Sequence, residues 1–391
     1  MKLIYIANAR IPTEKAHGIQ IMQMCESFAL CDANIRTHSN DTNKIEVELV
    51  VPWRFNSIKQ DSFEYYGIER SFKITKIPSL DLVKFGKIGF LIQSLSFAKL
   101  AALFTLFKKA DIIYSRDELP LFYLNFFGKR NLFWESHTAK KNFIVKRIFK
   151  KCKGIITITQ GLKDFYVKEY GIDSNKILGV PDGVDINEFD INISKEEARE
   201  KLNLPQDKKI VMYTGHLYDW KGAGVLLETA KQFPISNFQF SKDILFVFVG
   251  GTDNDIKNYE LRFKNYENIR FEGRKPHGEI PIWLKAADVL VLPNTAKEKI
   301  SKYYTSPLKL FEYMAAQKPI VASDLPSLRE ILNENNSVFV KPDDPEVLAQ
   351  GIKKVLQNPE LADKISKQAF LDIQDYTWQK RAQKILNFMK K

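Results

Sequence analysis

Residues 289–332 have the sequence VLVLPNTAKEKISKYYTSPLKLFEYMAAQKPIVASDLPSLREIL, which carries the strongest structural signal in the chain. Two short apolar runs, Val289–Leu292 and Ile320–Ala322, enclose a longer segment whose apolar residues recur at helical spacing. A buried strand, a helix and a second buried strand in this order predict a parallel β-α-β unit. Pro307 suits the first turn of the helix, where its missing N–H costs nothing.

The same alternation of apolar runs and helical segments extends along the chain. With 391 residues, the chain exceeds the ~250–300 at which one core stops growing. We therefore predict an α/β protein of two Rossmann-like, doubly wound domains that face an interdomain cleft. The glycines and prolines of GVPDGVDINEF divide it into domains 1–186 and 187–391. The predicted strands are Leu3–Ala7, Val47–Val51, Ile112–Tyr114, Leu132–Trp134, Ile155–Thr159, Ile210–Tyr213, Leu245–Val249, Ile269–Phe271, Val289–Leu292, Ile320–Ala322 and Ser337–Val340.

The positive charge is concentrated in the first half of the chain. The net charge is +12, and residues 1–186 hold 28 Lys and Arg against 19 Asp and Glu. This asymmetry indicates an anionic partner, for which membrane lipid, a polyanionic acceptor and nucleic acid are alternatives. No nucleic-acid-binding motif is recognised, so we expect no nucleic acid. The three cysteines form no C-x-x-C pair and the N-terminal apolar run is short, which together favour a cytoplasmic protein.

Two segments raise the question of a membrane. Residues 140–153, KKNFIVKRIFKKCK, combine seven basic side chains and no acidic one with an apolar stripe. The segment either contacts an anionic membrane peripherally or packs as a surface helix on its own sheet. Residues 88–107 are apolar but interrupted by polar side chains, short of the ~18 continuous apolar residues of a spanning helix. We expect them to form a buried helix.

Two glycine-containing turns are candidate ligand sites. The first strand leads to Gly18, just before an amphipathic helix, where a ligand could approach the helix start. An ordinary strand-to-helix turn is the alternative, and no G-x-G-x-x-G is present. In the second half, Gly215 ends a strand, and His216 and Lys221 precede the next helix. Lys221 either reaches a phosphate or is a solvated lysine. His216 either donates a second hydrogen bond to the phosphate or is an ordinary loop histidine.

The strongest signal is the helix that starts at Thr305-Ser306-Pro307, which we interpret as a diphosphate site. Glu312 lies further along this helix among apolar residues, where a carboxylate is costly without a hydroxyl or cation partner. A ribose diol would satisfy it, and a helix-surface glutamate is the alternative.

In the first half, FWESHTAK places Glu135 and His137 directly after a strand. His137 could bond a sugar hydroxyl or stabilise developing charge, or be a structural histidine.

Together these segments resemble the retaining glycosyltransferases of family 4, which have the GT-B fold, and the likeness covers nearly the whole chain. It is carried by Gly18 and by FWESHT, ITITQGLKDFYVKEYGI, PDGVDINEF, GHLYDWKG, FVGG, KAADVLVLP and TSPLKLFEYMAAQKPIVASDLPS. The resemblance implies an acceptor-binding first domain and a second domain that binds a nucleotide sugar, such as a UDP- or GDP-sugar, with no metal and no cofactor. The last helix, about 378–389, would cross back to the first domain.

The resemblance also implies residue roles. Lys221 would hold the donor diphosphate, Glu312 the ribose, and His137 would approach the transferred sugar, so these three are the predicted catalytic residues. Asp253-Asn254-Asp255 mimics a D-x-D metal motif but follows two glycines in a loop, and we predict no metal there. The predicted donor-binding residues are Gly18, Gly215, His216, Lys221, Tyr304, Thr305, Ser306, Pro307, Leu308, Lys309 and Glu312.

Three departures from the family pattern bear on function. The first glutamate of the E-x7-E pattern is Tyr304, the arginine partner of the lysine is His216, and the glycine of ACGKP is Gln317. The expected activity is front-face transfer with retention, to a saccharide, lipid-linked or small-molecule acceptor in cell-surface glycan synthesis. The departures motivate an alternative, a catalytically silent sugar-nucleotide-binding protein.

Overall fold

The structure is a computed structural model that describes residues 1–31, 45–233, 243–263 and 266–391. It divides into two compact units of the Rossmann-like α/β type. The first unit comprises Met1–Asp182 and Trp378–Lys391, and the second comprises Gly183–Thr377. The last helix is thus part of the first unit by its contacts.

The first unit is built on a parallel sheet of seven strands in the order β3-β2-β1-β4-β5-β6-β7. The strands are β1 Lys2–Ile6, β2 Glu46–Trp53, β3 Lys73–Pro78, β4 Ile112–Ser115, β5 Leu132–Ser136, β6 Gly154–Thr157 and β7 Ile177–Gly179. The sequence predicted the five inner strands but neither edge strand. In β3, lysines interrupt the apolar residues, and β7 has three residues, so neither forms the continuous apolar run of a strand buried on both faces.

The described residues of this unit also form seven helices: α1 Ala16–Leu30, α2 Ser62–Tyr66, α3 Gly86–Leu106, α4 Glu118–Phe126, α5 Phe143–Lys151, α6 Gln160–Tyr170 and, from the end of the chain, α15 Trp378–Lys390. Helix α15 packs against α1 and β6. Val145, Ile148 and Phe149 of α5 lie in the core with Trp134 and Tyr166. The apolar stripe of residues 140–153 therefore faces its own sheet and is not available for insertion into a membrane.

Helix α3 is not the buried helix that the sequence led us to expect. Its Phe97, Ala101 and Ala102 pack in the core, whereas Ile88 is 73% exposed and Leu91 55%. The residues of α3 are apolar on both faces, so the spacing of apolar residues could not identify the face that is buried.

The second unit has a parallel sheet of six strands in the order β10-β9-β8-β11-β12-β13, and the sequence predicted all six. The strands are β8 Lys209–Thr214, β9 Ile244–Val249, β10 Ile269–Gly273, β11 Val289–Leu292, β12 Ile320–Ser323 and β13 Val338–Val340. The helices are α7 Lys195–Lys201, α8 Ala223–Gln232, α9 Asp253–Phe263, α10 Ile280–Ala286, α11 Leu308–Ala315, α12 Pro326–Arg329, α13 Pro345–Gln357 and α14 Pro359–Ile373.

Apolar clusters cover both faces of this sheet. Trp283 of α10 and Phe311 of α11 belong to one cluster, and Leu227 of α8 and Ile352 of α13 belong to the other. Central strands covered on both faces are apolar throughout, which explains why the sequence indicated them so clearly.

Candidate functional site

Each sheet has one point where the strand order reverses. In the first unit it lies between β1 and β4, and in the second between β8 and β11. Loops that leave adjacent strands at such a point diverge to opposite faces and open a crevice beyond the carboxyl ends, where ligands of open α/β sheets bind. The predicted site residues other than Gly18 follow β5, β8 or β11, which are strands at these points or next to them.

The first unit has a cavity of about 180 Å³ beyond the carboxyl ends of β1, β4 and β5. Its polar lining includes Asn8, His17, Arg116, Asp117, His137 and Lys140. His137 follows the last residue of β5 directly, as predicted, and the structure places it in this cavity.

A buried ion pair lies beneath His137. Glu135 has no exposed surface, and its Oε1 accepts from Nη2 of Arg381 at 2.5 Å. Gln20 and Tyr5 also donate to this carboxylate, at 2.9 and 3.2 Å. Burial raises the pKa of Glu135, but the Arg381 guanidinium, His137 and Arg116 together hold it well below its usual range. Sequence reasoning missed Arg381, because it lies 246 residues from Glu135 and carries no local signal.

His137 is neutral at physiological pH. Its Nε2 lies 3.3 Å from Oε1 of Glu135, and burial together with the nearby Arg116 lowers its pKa. An ionised carboxylate beside Nε2 favours the tautomer with the proton on that nitrogen, which leaves Nδ1 as an acceptor. A neutral histidine held in this way can accept a hydrogen bond from a sugar hydroxyl.

The other charged groups of the cavity have protein partners. Nζ of Lys140 donates to both carboxylate oxygens of Glu118 at 2.7 Å, and Asp117 accepts from the backbone N–H of Asn8 at 2.6 Å. Burial and the neighbouring Arg116 lower the pKa of His17 to about 3, so this ring is neutral as well.

Gly18 lies inside α1, as its third residue, rather than before the helix as predicted. A Cβ there would lie 2.2 Å from the hydroxyl of Tyr66 and 2.6 Å from Cγ2 of Thr13. Packing against these side chains accounts for the glycine. Its predicted contact with the donor has no support in this geometry.

In the second unit, Gly215 and His216 directly follow β8, and Lys221 ends a short 3₁₀ turn before α8. The ring of His216 stacks on Tyr218, with centroids 5.0 Å apart, and the His216 carbonyl accepts from the Tyr213 hydroxyl. Gly222 has φ +76°, and a Cβ on it would lie 1.7 Å from the carbonyl oxygen of Pro293. Glycine at this position lets the loop after β8 lie against the loop after β11.

The helix that carries Glu312 begins slightly later than predicted. α11 starts at Leu308, Pro307 is its N-cap residue, and Thr305 and Ser306 precede it, after a π-helical turn that ends at Tyr304. Glu312 is five residues beyond Pro307. The first N–H groups of an α-helix lack intrahelical partners and favour an anion.

Glu312 is buried and has a partner that the sequence did not suggest. Its Oε1 lies 3.2 Å from Nε2 of His277, whose Nδ1 is 3.6 Å from Glu188. Although burial lowers the pKa of His277, its contact with Glu312 raises it above its usual value. His277 precedes α10, so the sequence pattern around Glu312 held no sign of it.

Two lysines share the environment of this one carboxylate. Burial lowers the pKa of Lys221 to about 8, and Glu312 partly offsets the effect. Burial and the nearby Lys221 also lower the pKa of Lys309, to well below its usual value. Nζ of Lys309 is buried, has no hydrogen-bond partner within the described part of the chain, and lies 3.6 Å from the Tyr213 ring centroid. Among the described side chains, two buried lysines thus lie near the carboxylate of Glu312.

The predicted absence of a metal at Asp253-Asn254-Asp255 stays a prediction. Asp255 accepts from the backbone N–H of Thr252 at 3.0 Å and from its hydroxyl at 2.7 Å, as at the start of a helix. Within the ranges that the structure describes, no three His, Cys, Asp or Glu side chains are grouped in a way that could hold a metal ion.

Residues 194–372, nearly all of the second unit, match the family model of glycosyl transferases group 1. Residues 194–372 therefore belong to the group 1 glycosyltransferases.

Relatives of the chain carry the same family name. An uncharacterized glycosyltransferase from Methanocaldococcus jannaschii is 25% identical over 247 residues, 62% of this chain and 60% of the relative. D-inositol 3-phosphate glycosyltransferase 1 from Catenulispora acidiphila is 26% identical over 204 residues, 50% of this chain and 47% of the relative. The matches thus cover about half to three fifths of these relatives.

The fold matches over the full chain. HepE from Anabaena, whose crystal structure contains UDP, superposes with a TM-score of 0.73 at 16% identity, and the match covers 100% of both chains. The two Rossmann-like units are those of the GT-B fold, as predicted.

Proposed function

We propose that this chain transfers a sugar from a nucleoside diphosphate sugar to an acceptor. The second unit would bind the donor: Lys221, Lys309 and the start of α11 would hold the diphosphate, and Glu312 the ribose. The first unit would bind the acceptor in the cavity beside His137. A UDP-sugar is the favoured donor, because the crystal structure of HepE contains UDP.

The single observation that carries this proposal is the pair of buried lysines near Glu312, one of which has no hydrogen-bond partner in the described part of the chain. A buried ammonium without a hydrogen bond is costly, and the one carboxylate beside Lys221 and Lys309 is already engaged with His277. A diphosphate would supply the missing anion. Lys309 is folded back over the Tyr213 ring, and a rotation of its flexible side chain would bring Nζ toward the ligand.

The reaction that we propose is front-face transfer with retention, in which the donor phosphate accepts the proton of the attacking hydroxyl. The protein would contribute position and charge: the lysines and the start of α11 stabilise the departing diphosphate, and neutral His137 accepts a hydrogen bond from the transferred sugar. No protein nucleophile and no metal ion are required. The acceptor would be a saccharide, a lipid-linked saccharide or a small molecule in cell-surface glycan synthesis, on the cytoplasmic side of the membrane.

Calorimetric titration with UDP tests the donor assignment. Lys309→Met should weaken UDP binding about tenfold or more, as expected for the loss of one charge-assisted hydrogen bond. Lys318→Met is the matched control. Burial also lowers the pKa of Lys318 to about 8, but this residue lies just before β12, at the amino end of the strand, whereas the site lies beyond the carboxyl ends.

Equal UDP affinity in both variants, or an equal loss in both, would refute the diphosphate site. Transfer assays with UDP-, GDP- and ADP-sugars then distinguish an enzyme from the silent sugar-nucleotide-binding protein. The silent alternative has less support, because the relatives are named glycosyltransferases.

A further inference from the structure

We propose that the exposed apolar side of α3 docks the protein on an anionic lipid bilayer. We call this surface the α3 face; it consists of Phe85, Ile88, Leu91, Leu95, Leu103 and Phe107, all exposed in the folded chain. The inference goes beyond the proposed function and does not depend on the donor site, which lies in the other unit.

The α3 face is one continuous stripe. Ile88, Leu91, Leu95 and Leu103 share one side of the helix, because they and Lys99 follow one another at spacings of three or four residues. Ile88 is the most exposed of the aliphatic residues on the α3 face, at 73%, and Phe107 at the end of the helix is 84% exposed. Contiguous exposed apolar surface of this extent is uncommon on soluble monomers and marks a site of interaction.

The helix lies along the surface of its unit and does not cross a membrane. By length and composition, Val83–Leu106 could span a bilayer, but 44% of its apolar window is buried inside the protein. Phe97 and Ala101 on the buried side pack with Ile4 and Trp134 of the sheet. Contact through the α3 face alone keeps this packing intact, as in helices that lie in the plane of a membrane interface.

The charges around the α3 face match an anionic surface. Residues 82–110 contain five lysines, at 84, 87, 99, 108 and 109, and no aspartate or glutamate. Lys84, Lys87 and Lys99 are exposed on α3 or directly before it. Basic residues near an anionic membrane each contribute about fivefold to its affinity.

Neighbouring elements extend this surface. Nζ of Lys129 donates to the carbonyl of Lys108 at 3.1 Å, which brings the loop after α4 against the end of α3. Phe126 and Phe127 at the end of α4 are exposed, at 68% and 57%. On α5, which packs against α4, the apolar stripe is buried but Lys146, Lys150 and Lys151 are exposed. Residues 140–153 would therefore add charge to the docking surface, and α3 would supply the apolar contact.

A bilayer fits this surface better than a second copy of the chain. A symmetric dimer through the α3 face would bring the same lysines of both subunits together, with no acidic residue on α3 to pair with them. Anionic headgroups neutralise the lysines, while the acyl chain region accepts the leucine, isoleucine and phenylalanine side chains.

Vesicle flotation of the full chain tests the proposal, with phosphatidylcholine vesicles that contain or lack phosphatidylglycerol. We expect the wild type to float with the anionic vesicles and to remain largely unbound with the neutral ones. The double variant Ile88→Glu, Leu95→Glu should lose at least about tenfold in affinity, because two aliphatic side chains no longer enter the interface. Leu371→Glu is the control, since Leu371 is 64% exposed in the second unit.

A second variant, Lys84→Gln with Lys87→Gln, changes exposed polar side chains and so preserves the fold. It should weaken binding to anionic vesicles by about fivefold for each lysine. Unchanged flotation of either variant, or equal recovery of the wild type with both kinds of vesicle, would overturn the proposal. So would a dimer in solution that Ile88→Glu, Leu95→Glu converts to a monomer. UDP binding, measured in parallel, should be unchanged, which separates this proposal from the donor site.

Discussion

The candidate sites of the two units differ in how their charges are balanced. In the first unit, the buried Glu135 carboxylate is paired with the buried Arg381 guanidinium, so these two charges balance each other without a ligand. In the second unit, Lys221 and Lys309 share the single carboxylate Glu312, which already contacts His277. A site whose charges are already paired can bind an uncharged ligand at no electrostatic cost. A site with more lysines than carboxylates gains stability when an anion binds.

Removal of one cation from each site should therefore have opposite effects on stability. Arg381→Met leaves Glu135 buried without its cation, and we expect the free energy of unfolding to fall by about 3–5 kcal/mol. Lys309→Met removes an ammonium that has no hydrogen bond, and we expect the unliganded protein to be as stable as the wild type or more so. Chemical denaturation of both variants at neutral pH measures the difference.

The pH dependence of the free energy of unfolding provides the control for this comparison. The folded pKa of Glu135 is depressed, so the carboxylate contributes stability above its unfolded pKa of about 4.3. That contribution is lost as the pH falls through the lower folded pKa. The difference in the free energy of unfolding between the wild type and Arg381→Met should therefore become smaller at acidic pH. A gap that is constant down to low pH would mean that Arg381 stabilises the protein by packing and not by its charge.

The next largest effect should be on activity. Lys221→Ala and Glu312→Ala are each expected to reduce turnover by about 10²–10³-fold, the usual cost of removing one group that stabilises a transition-state charge. Both variants should keep the fold, since neither residue belongs to an apolar core cluster. Steady-state kinetics measure the loss of turnover, and circular dichroism checks that the fold is retained. Wild-type turnover in either variant would remove that residue from the site.

The two histidines that contact buried carboxylates should separate binding from chemistry. His137→Ala should lower kcat about a hundredfold and leave the affinity for UDP unchanged, because His137 belongs to the first unit and its partner Glu135 does too. His277→Ala should mainly weaken UDP binding, since Glu312 loses the partner that orients it. Kinetics at saturating and limiting donor concentrations distinguish these effects. The reverse pattern would assign the donor to the first unit.

The sequence predicted the parts of this molecule that depend on local pattern. The inner strands are continuous apolar runs, and the helix start at residues 305–308 carries its own proline signal. The partners of the site residues were not predictable in this way: Arg381 reaches Glu135, and His277 reaches Glu312, only after the chain has folded. The exposed side of α3 was missed for a related reason, since a helix that is apolar all round gives no indication of its buried face.

The smallest effect that we predict is in the pH dependence of donor binding. The folded pKa of Lys221 in the free protein is lowered to about 8, so the lysine is charged below pH 8 and increasingly neutral above it. Since a diphosphate binds the charged form, deprotonation of Lys221 should lower UDP affinity above pH 8, by at most about tenfold per pH unit for this one group. Calorimetric titrations across this range measure the decline.

Proton uptake on binding gives an independent check of the same charge imbalance. A bound diphosphate should raise the pKa of both Lys221 and Lys309, and the protein should therefore take up protons as UDP binds. Calorimetry in buffers of different ionisation enthalpy measures the number of protons taken up when UDP binds. Lys309→Met should reduce the proton uptake. Lys318→Met should leave the uptake unchanged: Lys318 also has a lowered pKa, but it lies just before β12, at the amino end of the strand and away from the site. Binding without proton uptake would mean that both lysines are already charged in the free protein, which would contradict the lowered pKa of Lys221 and Lys309.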